Sequence, residues 1–375
     1  MTQTSKLATG ASPGLLTIDL AALAGNWREL ARRVAPARSA AVIKADAYGI
    51  GVASAAPALF EAGCRVFFVA QLSEGVLARA ALGPDPQIYV LNGLEAGADP
   101  ADYVAHDLAP AIGGEPELAR WAAFSKRRAA ASAFALHLDT GMNRLGFYSL
   151  NQMRAAMERH GSAGAALLMS HFVSSEEPEN PLNAAQIARV EEARAAFPHL
   201  PVSLANSSGV FLPRAPHYDL ARPGYALYGG NPTLGAKNPM RPVATLEVAI
   251  QQTRWIDAGE TCGYNSQWTA RRRTHLATLL AGYADGLPRG AGATHDRQGT
   301  EVVIAGRRCA LVGRMSMDVC VADVTDLPED AVQPGVNAEL LGETIGIDEF
   351  AARSGTIGYH VLTSLGRRYH RRYVG

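Results

Sequence analysis

AVIKADAYGIG (41–51) sets the problem of the fold. Ala41, Val42 and Ile43 read as a buried strand, and Lys44 falls at its C-terminal end. Gly49 and Gly51 then mark a loop in which backbone can approach a ligand closely. A lysine at a strand end can simply snorkel to solvent, so this stretch needs its neighbours. Seven further β-rich runs follow. They are RVFFVA (65–70), QIYVLN (87–92), DLAPAI (107–112), AFALHLD (133–139), ALLMSHF (166–172), PVSLANS (201–207) and HYDLARPG (217–224). Stretches with apolar residues at helical spacing separate them, such as ALAGNWRELARRV and NAAQIARVEEARAAF. Strand and helix in alternation imply parallel pairing. Eight such units predict a TIM (β/α)8 barrel, with an open doubly wound sheet as the alternative.

Past residue 235 the pattern changes. PVATLEVAI (242–250), THLATLLAG (274–282), TEVVIAG (300–306) and RRCALVG (307–313) are strands punctuated by turn residues. The expected organisation is therefore α/β: a barrel over 1–239 and a β-rich domain over 240–375.

Composition narrows the function classes. At 48% hydrophobic and 19% charged residues the chain is globular and not disordered. Lys+Arg and Asp+Glu balance at 35 each, which argues against a nucleic-acid or membrane-surface partner. There is no apolar run long enough to span a bilayer. MTQTSKLATGASPG (1–14) lacks the pattern of a signal peptide. Cys64, Cys262, Cys309 and Cys320 are scattered, which suggests reduced thiols in a cytoplasmic protein and no metal site. Cys262 reads as a bystander.

Polar residues collect at strand ends, where a barrel builds its site. Lys44 ends the first strand. His137 and Asp139 end the fifth, ahead of Arg144. Ser170 and His171 end the sixth, Asn206, Ser207 and Ser208 the seventh, and Arg222 the eighth. A lysine so placed suggests Schiff-base chemistry, either with substrate directly or with pyridoxal phosphate. NSSG (206–209) and RPGY (222–225) offer hydroxyls and free N–H groups that could cradle a phosphate.

These residues resemble those of the bacterial alanine racemases. AVIKADAYGIG is similar to their cofactor-attachment motif. LHLDTGMNRLGF (136–147), SHF (170–172), LANSSG (204–209), RPGYALYG (222–229), GYADGLPR (282–289) and GRMSMD (313–318) match in order. The resemblance runs from TIDLAAL (17–23) to the C-terminus. It implies interconversion of L- and D-alanine, supplying D-alanine for cell-wall synthesis, by a two-base pyridoxal-phosphate mechanism. Lys44 would carry the cofactor, with Tyr48, Ser207 and the backbone of Gly224 and Tyr225 at its phosphate. Arg222 would face the pyridine nitrogen, and His171 would link it to the second base, Tyr264. Arg144 and the Met317 N–H would take the substrate carboxylate. The family's head-to-tail homodimer would bring Tyr264 and Met317 from the partner subunit. A phenol ordinarily titrates near ~10, so a tyrosine base needs positive charge nearby.

Some positions depart from the family pattern. Ile50 stands where many members have histidine. His137 stands where many have a carbamylated lysine that holds the substrate-binding arginine, leaving Arg144 to be oriented by His137 itself or by a bound anion. Tyr283 is expected at the entrance to the site. GRRYHRRY (366–373) reads as a solvated basic tail and carries no role. Another amino-acid racemase of the same architecture, acting on serine or a broader set, is the nearest alternative. A non-catalytic cofactor carrier would lack the second domain and Tyr264. A decarboxylase would need a carboxylate where Arg222 stands.

Overall fold

A computed structural model describes residues 14–213 and 215–375. Most of the N-terminal stretch read for a signal peptide lies outside the described residues. The chain divides into two compact units, Ala21–Arg241 and a second made of the segment up to Leu20 with Pro242–Gly375.

The first unit is the barrel. Its strands Ala41–Val42, Val66–Val69, Gln87–Val90, Leu108–Ile112, Phe134–His137, Ala165–Met169 and Val202–Ser203 pair in parallel in chain order. The eighth, Leu220–Ala221, closes the ring. Asp219 N–H donates to Val202 O and Arg222 N–H to Ala205 O on one side. On the other, Ala40 N–H donates to Ala221 O and Val42 N–H to Pro223 O. A ring joined from first strand to last excludes the open sheet. The weakest-looking runs, DLAPAI and HYDLARPG, both supply strands. Val66–Val69 and Leu108–Ile112 are buried at every position, because helices cover one face and barrel side chains fill the other. Leu20–Val34 shows how the helices are laid on. Leu23, Trp27, Leu30 and Val34 form its buried stripe at helical spacing.

The second unit is an eight-stranded, mostly antiparallel sheet. Its central path runs Arg307–Ala310, Glu301–Ile304, Asn337–Leu341, Ala244–Ile256, Gly14–Asp19 and His370–Val374. Thr274–Leu279 pairs with both Ala244–Ile256 and Cys320–Asp323. Two sequence expectations are corrected here. The strand Gly14–Asp19 was grouped with the barrel by a boundary at 239/240. It pairs antiparallel with Ala244–Ile256 and parallel with His370–Val374, so it belongs to the β-rich unit. The GRRYHRRY segment is no loose tail, because His370–Val374 is the edge strand beside it. Its arginines suit an edge, where charge discourages unwanted pairing.

The four cysteines are free and buried. Burial pushes the Cys64 and Cys320 thiols up to about 12 and raises Cys262 as well, so none is a poised nucleophile. No helix among the described residues is long and apolar enough to cross a membrane.

Candidate active site

Lys44 follows the first barrel strand and begins an unusual turn. Ala45, Asp46, Ala47 and Tyr48 all have φ between 52° and 54°. A left-handed conformation costs an ordinary residue roughly 1–2 kcal/mol, so four in a row need local support. Ala45 N–H donates to Glu74 Oε1 (2.7 Å), and Ala70 N–H donates to Glu74 Oε2 (2.7 Å). The Asp46 carboxylate accepts from Val52 N–H (2.7 Å) and so starts the next helix. Gly49 N–H returns to Ala45 O (2.8 Å). The turn fixes where Lys44 leaves the barrel and turns Tyr48 inward.

Tyr48 is buried and stacks on Tyr228, ring centres 4.5 Å apart. The Tyr228 hydroxyl is tied to Val42 O (2.9 Å). Opposite lies Gly224, at which a Cβ would overlap the Tyr48 hydroxyl. Ser207 Oγ accepts the N–H groups of Gly224 (3.0 Å) and Ala226 (3.1 Å). One hydroxyl, two converging amides and a buried phenol gather here, and a phosphate that displaced Ser207 Oγ from the amides would meet these donors. Tyr225 is buried between them. Ala226 is a cradle residue that sequence reasoning passed over.

Arg222 is buried without a carboxylate partner among the described residues. Its Nη1 donates to Ser203 Oγ (2.6 Å) and its Nη2 to Ser170 O (2.5 Å), and the guanidinium lies 5.7 Å from the centre of the Phe68 ring. Burial lowers its pKa to about 10, which still leaves it charged at neutral pH. His171 Nδ1 stands 3.5 Å from Arg222 Nη2. Burial first, then the Arg222 charge, pushes His171 down to about 3. Arginine has only donors, so Nδ1 accepts and the neutral ring carries its proton on Nε2. The His171 carbonyl is held by Gln186 Nε2 (2.8 Å).

Burial lowers the Lys44 amine, Arg144 lowers it further, and Glu74 acts in the opposite direction. Arg144 is exposed, with its N–H on Asp139 Oδ2 (3.3 Å). The same carboxylate accepts from Gly141 and Met142 (2.8 Å each), which shapes the 139–144 loop. His137 is pushed down to about 4 by burial and then by Arg222, and its buried Nδ1 has no partner among the described residues. Nothing on that side of the ring ties it to Arg144. Ile50 is fully buried as packing. The barrel rim thus gathers the charges of Lys44, Arg144 and Arg222, a setting that attracts anions.

Two family models divide the chain between them. The alanine racemase N-terminal domain matches residues 18–232 and the alanine racemase C-terminal domain matches 243–373. The chain belongs to the alanine racemase family. A Methylobacterium alanine racemase is 51% identical over 372 residues, covering 98% of this chain and 99% of the relative. A Rhizobium johnstonii protein named as a catabolic alanine racemase is 43% identical, covering 99% and 97%. The crystal structure of the Bartonella henselae alanine racemase with covalently bound pyridoxal phosphate has a TM-score of 0.89 at 34% identity, covering 97% of this chain and all of that one.

The remaining family motifs lie in the β-rich unit. Tyr264 sits on a short turn whose next residues, Asn265 and Ser266, have φ of 59° and 49°. Its side chain is 63% exposed. Met317 and Tyr283 are exposed as well. Glu74, Ser203 and Tyr228 were not singled out from sequence. Glu74 left a partial signal as an acidic residue in the first turn of a helix, where its carboxylate accepts Gln71 N–H (3.2 Å). Ser203 left none.

Proposed function

We propose that this chain is an alanine racemase that uses pyridoxal phosphate and acts as a homodimer. The observation that carries the reading is the Ser207, Gly224, Ala226 and Tyr48 cradle, close along the barrel rim to a lysine whose amine is depressed by burial. Its donors fit a phosphate and the lysine fits an aldehyde.

The cofactor, when bound, draws electron density away from the substrate α-carbon and so acidifies its proton. The chain's own groups do the rest. Lys44 would hold the cofactor, and its amine would remove or return a proton on one face of that carbon. Tyr264 of the partner subunit does the same on the other face. His171, neutral and carrying its proton on Nε2, donates towards that phenol, while the Arg222 charge behind it favours phenolate. Arg222 offers only donors and keeps its own proton at neutral pH, so it would leave a ring nitrogen placed against it unprotonated. That restraint favours simple proton return over side reactions. Arg144 and the Met317 N–H of the partner subunit take the substrate carboxylate. The exposure of Tyr264 and Met317 supports a covering second copy.

The chain's relatives include proteins named as catabolic, so the direction of use in the cell is a separate question from the reaction. Deleting the gene decides it: D-alanine auxotrophy assigns cell-wall supply, and failure to grow on D-alanine assigns breakdown. The reaction itself is tested by following the circular dichroism of L-alanine, D-alanine, L-serine and D-serine. Decay of both alanine signals to zero is expected. Decay of serine alone would replace alanine as the substrate.

A further inference from the structure

In the β-rich unit two family motifs are laced together. Tyr283 N–H donates to Ser316 O (3.1 Å) and Ala284 N–H to Met317 O (2.9 Å). Gly282 is where the segments touch, since a Cβ there would overlap the carbonyls of Ser316 and Met317. Each segment also carries one carboxylate, Asp285 and Asp318. Asp285 is buried and accepts Gly282 N–H (2.9 Å). Asp318 is exposed at 58%.

One guanidinium joins them. Arg368 Nε meets Asp285 Oδ1 (2.8 Å), and its Nη1 meets Asp318 Oδ1 (2.7 Å). The backbone around Arg368 is itself fixed, because Gly366 N–H donates to Asp285 O (2.9 Å). Asp318 directly follows Met317. The clamp therefore anchors the residue after Met317, whose own N–H, in the Ser316–Met317 peptide that Tyr283 N–H holds, is read above as a contact for the substrate carboxylate.

We propose that Arg368 is a positioning residue for substrate binding, holding the Met317 peptide at a fixed height against the Tyr283 turn. The proposal rests on the reading of Met317 given above. A flat fork with donors on two sides suits this task, since lysine could not span both carboxylates with the same geometry. Holding a donor in place before substrate arrives lowers the ordering cost of binding, and small displacements of such a donor are expensive.

Asp318→Asn tests this with little risk to folding. The Asp318–Arg368 pair is exposed and such pairs contribute little stability, while the contact of Arg368 with the buried Asp285 carboxylate stays intact. The expected result is a KM for L-alanine raised about tenfold, with kcat per bound cofactor and the melting temperature nearly unchanged. Arg368→Lys should give a similar or larger rise. α-Proton exchange of alaninamide, which has no carboxylate, should be unaffected in Asp318→Asn. An unchanged KM for alanine in both variants, in an active wild-type enzyme, would overturn the role of Arg368 and leave the site reading intact. Equal losses for alanine and alaninamide would overturn it too, by reducing the clamp to general scaffolding. A wild-type protein that racemises no alanine would remove the reading of Met317, and this proposal with it.

Discussion

The two units present their chemistry in opposite ways. On the barrel rim Tyr48, His171, Ser207 and Arg222 are packed among side chains that fix them. In the β-rich unit Tyr264, Met317 and Tyr283 stand out towards solvent. Burial tunes the first group: it depresses the Lys44 amine and keeps His171 and His137 neutral. The second group is exposed and depends on what covers it. One half of the site is built by folding, and the other is read as completed by association.

Substitutions on either side put that contrast to the test. Lys44→Ala should have the largest effect, removing the visible absorption of bound cofactor and lowering racemisation by ~10⁴ or more. Persistence of the absorption band would break the assignment of the attachment lysine. Tyr264→Phe comes next. It should lower interconversion by ~10²–10⁴ while stability shifts by less than ~0.5 kcal/mol, as expected at an exposed site. One enantiomer alone should still exchange its α-proton with solvent, because one face keeps its base. Equal exchange of both enantiomers would show that Tyr264 is not the second base. Activity per chain should also fall on dilution.

Gly224→Ala tests the cradle through the close approach of Tyr48 to Gly224. The added methyl must displace the Tyr48 hydroxyl. A strain of ~1–3 kcal/mol corresponds to roughly ten- to hundredfold weaker cofactor binding. Tyr48→Phe in the same chain should relieve part of it, and titration with pyridoxal phosphate measures both. The last test concerns pH. His171 and His137 fall from 6.5 to about 3 and about 4 in the folded chain. The unfolded chain therefore binds more protons as pH drops below 6.5, and stability must decline from there towards pH 4. The slope is up to ~1.4 kcal/mol per pH unit for each histidine. His137→Gln should lessen that decline in urea melts at pH 7 and 4.5. An unchanged slope would show that His137 is protonated in the folded state.

Eight strand runs and their order were legible because buried parallel strands are apolar throughout, and that signal survives even in short runs such as LAPAI. Lys44 and Arg222 were legible for the same reason inverted: a charge at the end of an apolar run is conspicuous. What supports them was not. Ser203 is one serine among many, and only the pairing of the seventh and eighth strands brings it to the Arg222 guanidinium. The left-handed run after Lys44 leaves no trace in ADAY, whose residues favour no such conformation alone. The strand at Gly14–Asp19 was assigned to the wrong unit because its partners lie at the far end of the chain, where periodicity gives no pairing information. The basic segment at 366–373 was read by its charge, which concealed both an edge strand and the Arg368 clamp.

The seam between the first and last barrel strands has a consequence for assembly of the fold. Tyr48 stacks on Tyr228 across it, and Val42 is bonded to both Pro223 and Tyr228. During synthesis the pairs among the first seven barrel strands can form before residue 221 exists, but this one cannot. The cradle is made from both sides of the seam, so no open barrel contains it. Pyridoxal phosphate, on this reading, binds only the closed ring and stabilises it by mass action, by ~2.7 kcal/mol at a hundred times its dissociation constant. The cofactor's spectrum then reports the time at which the ring closes during refolding.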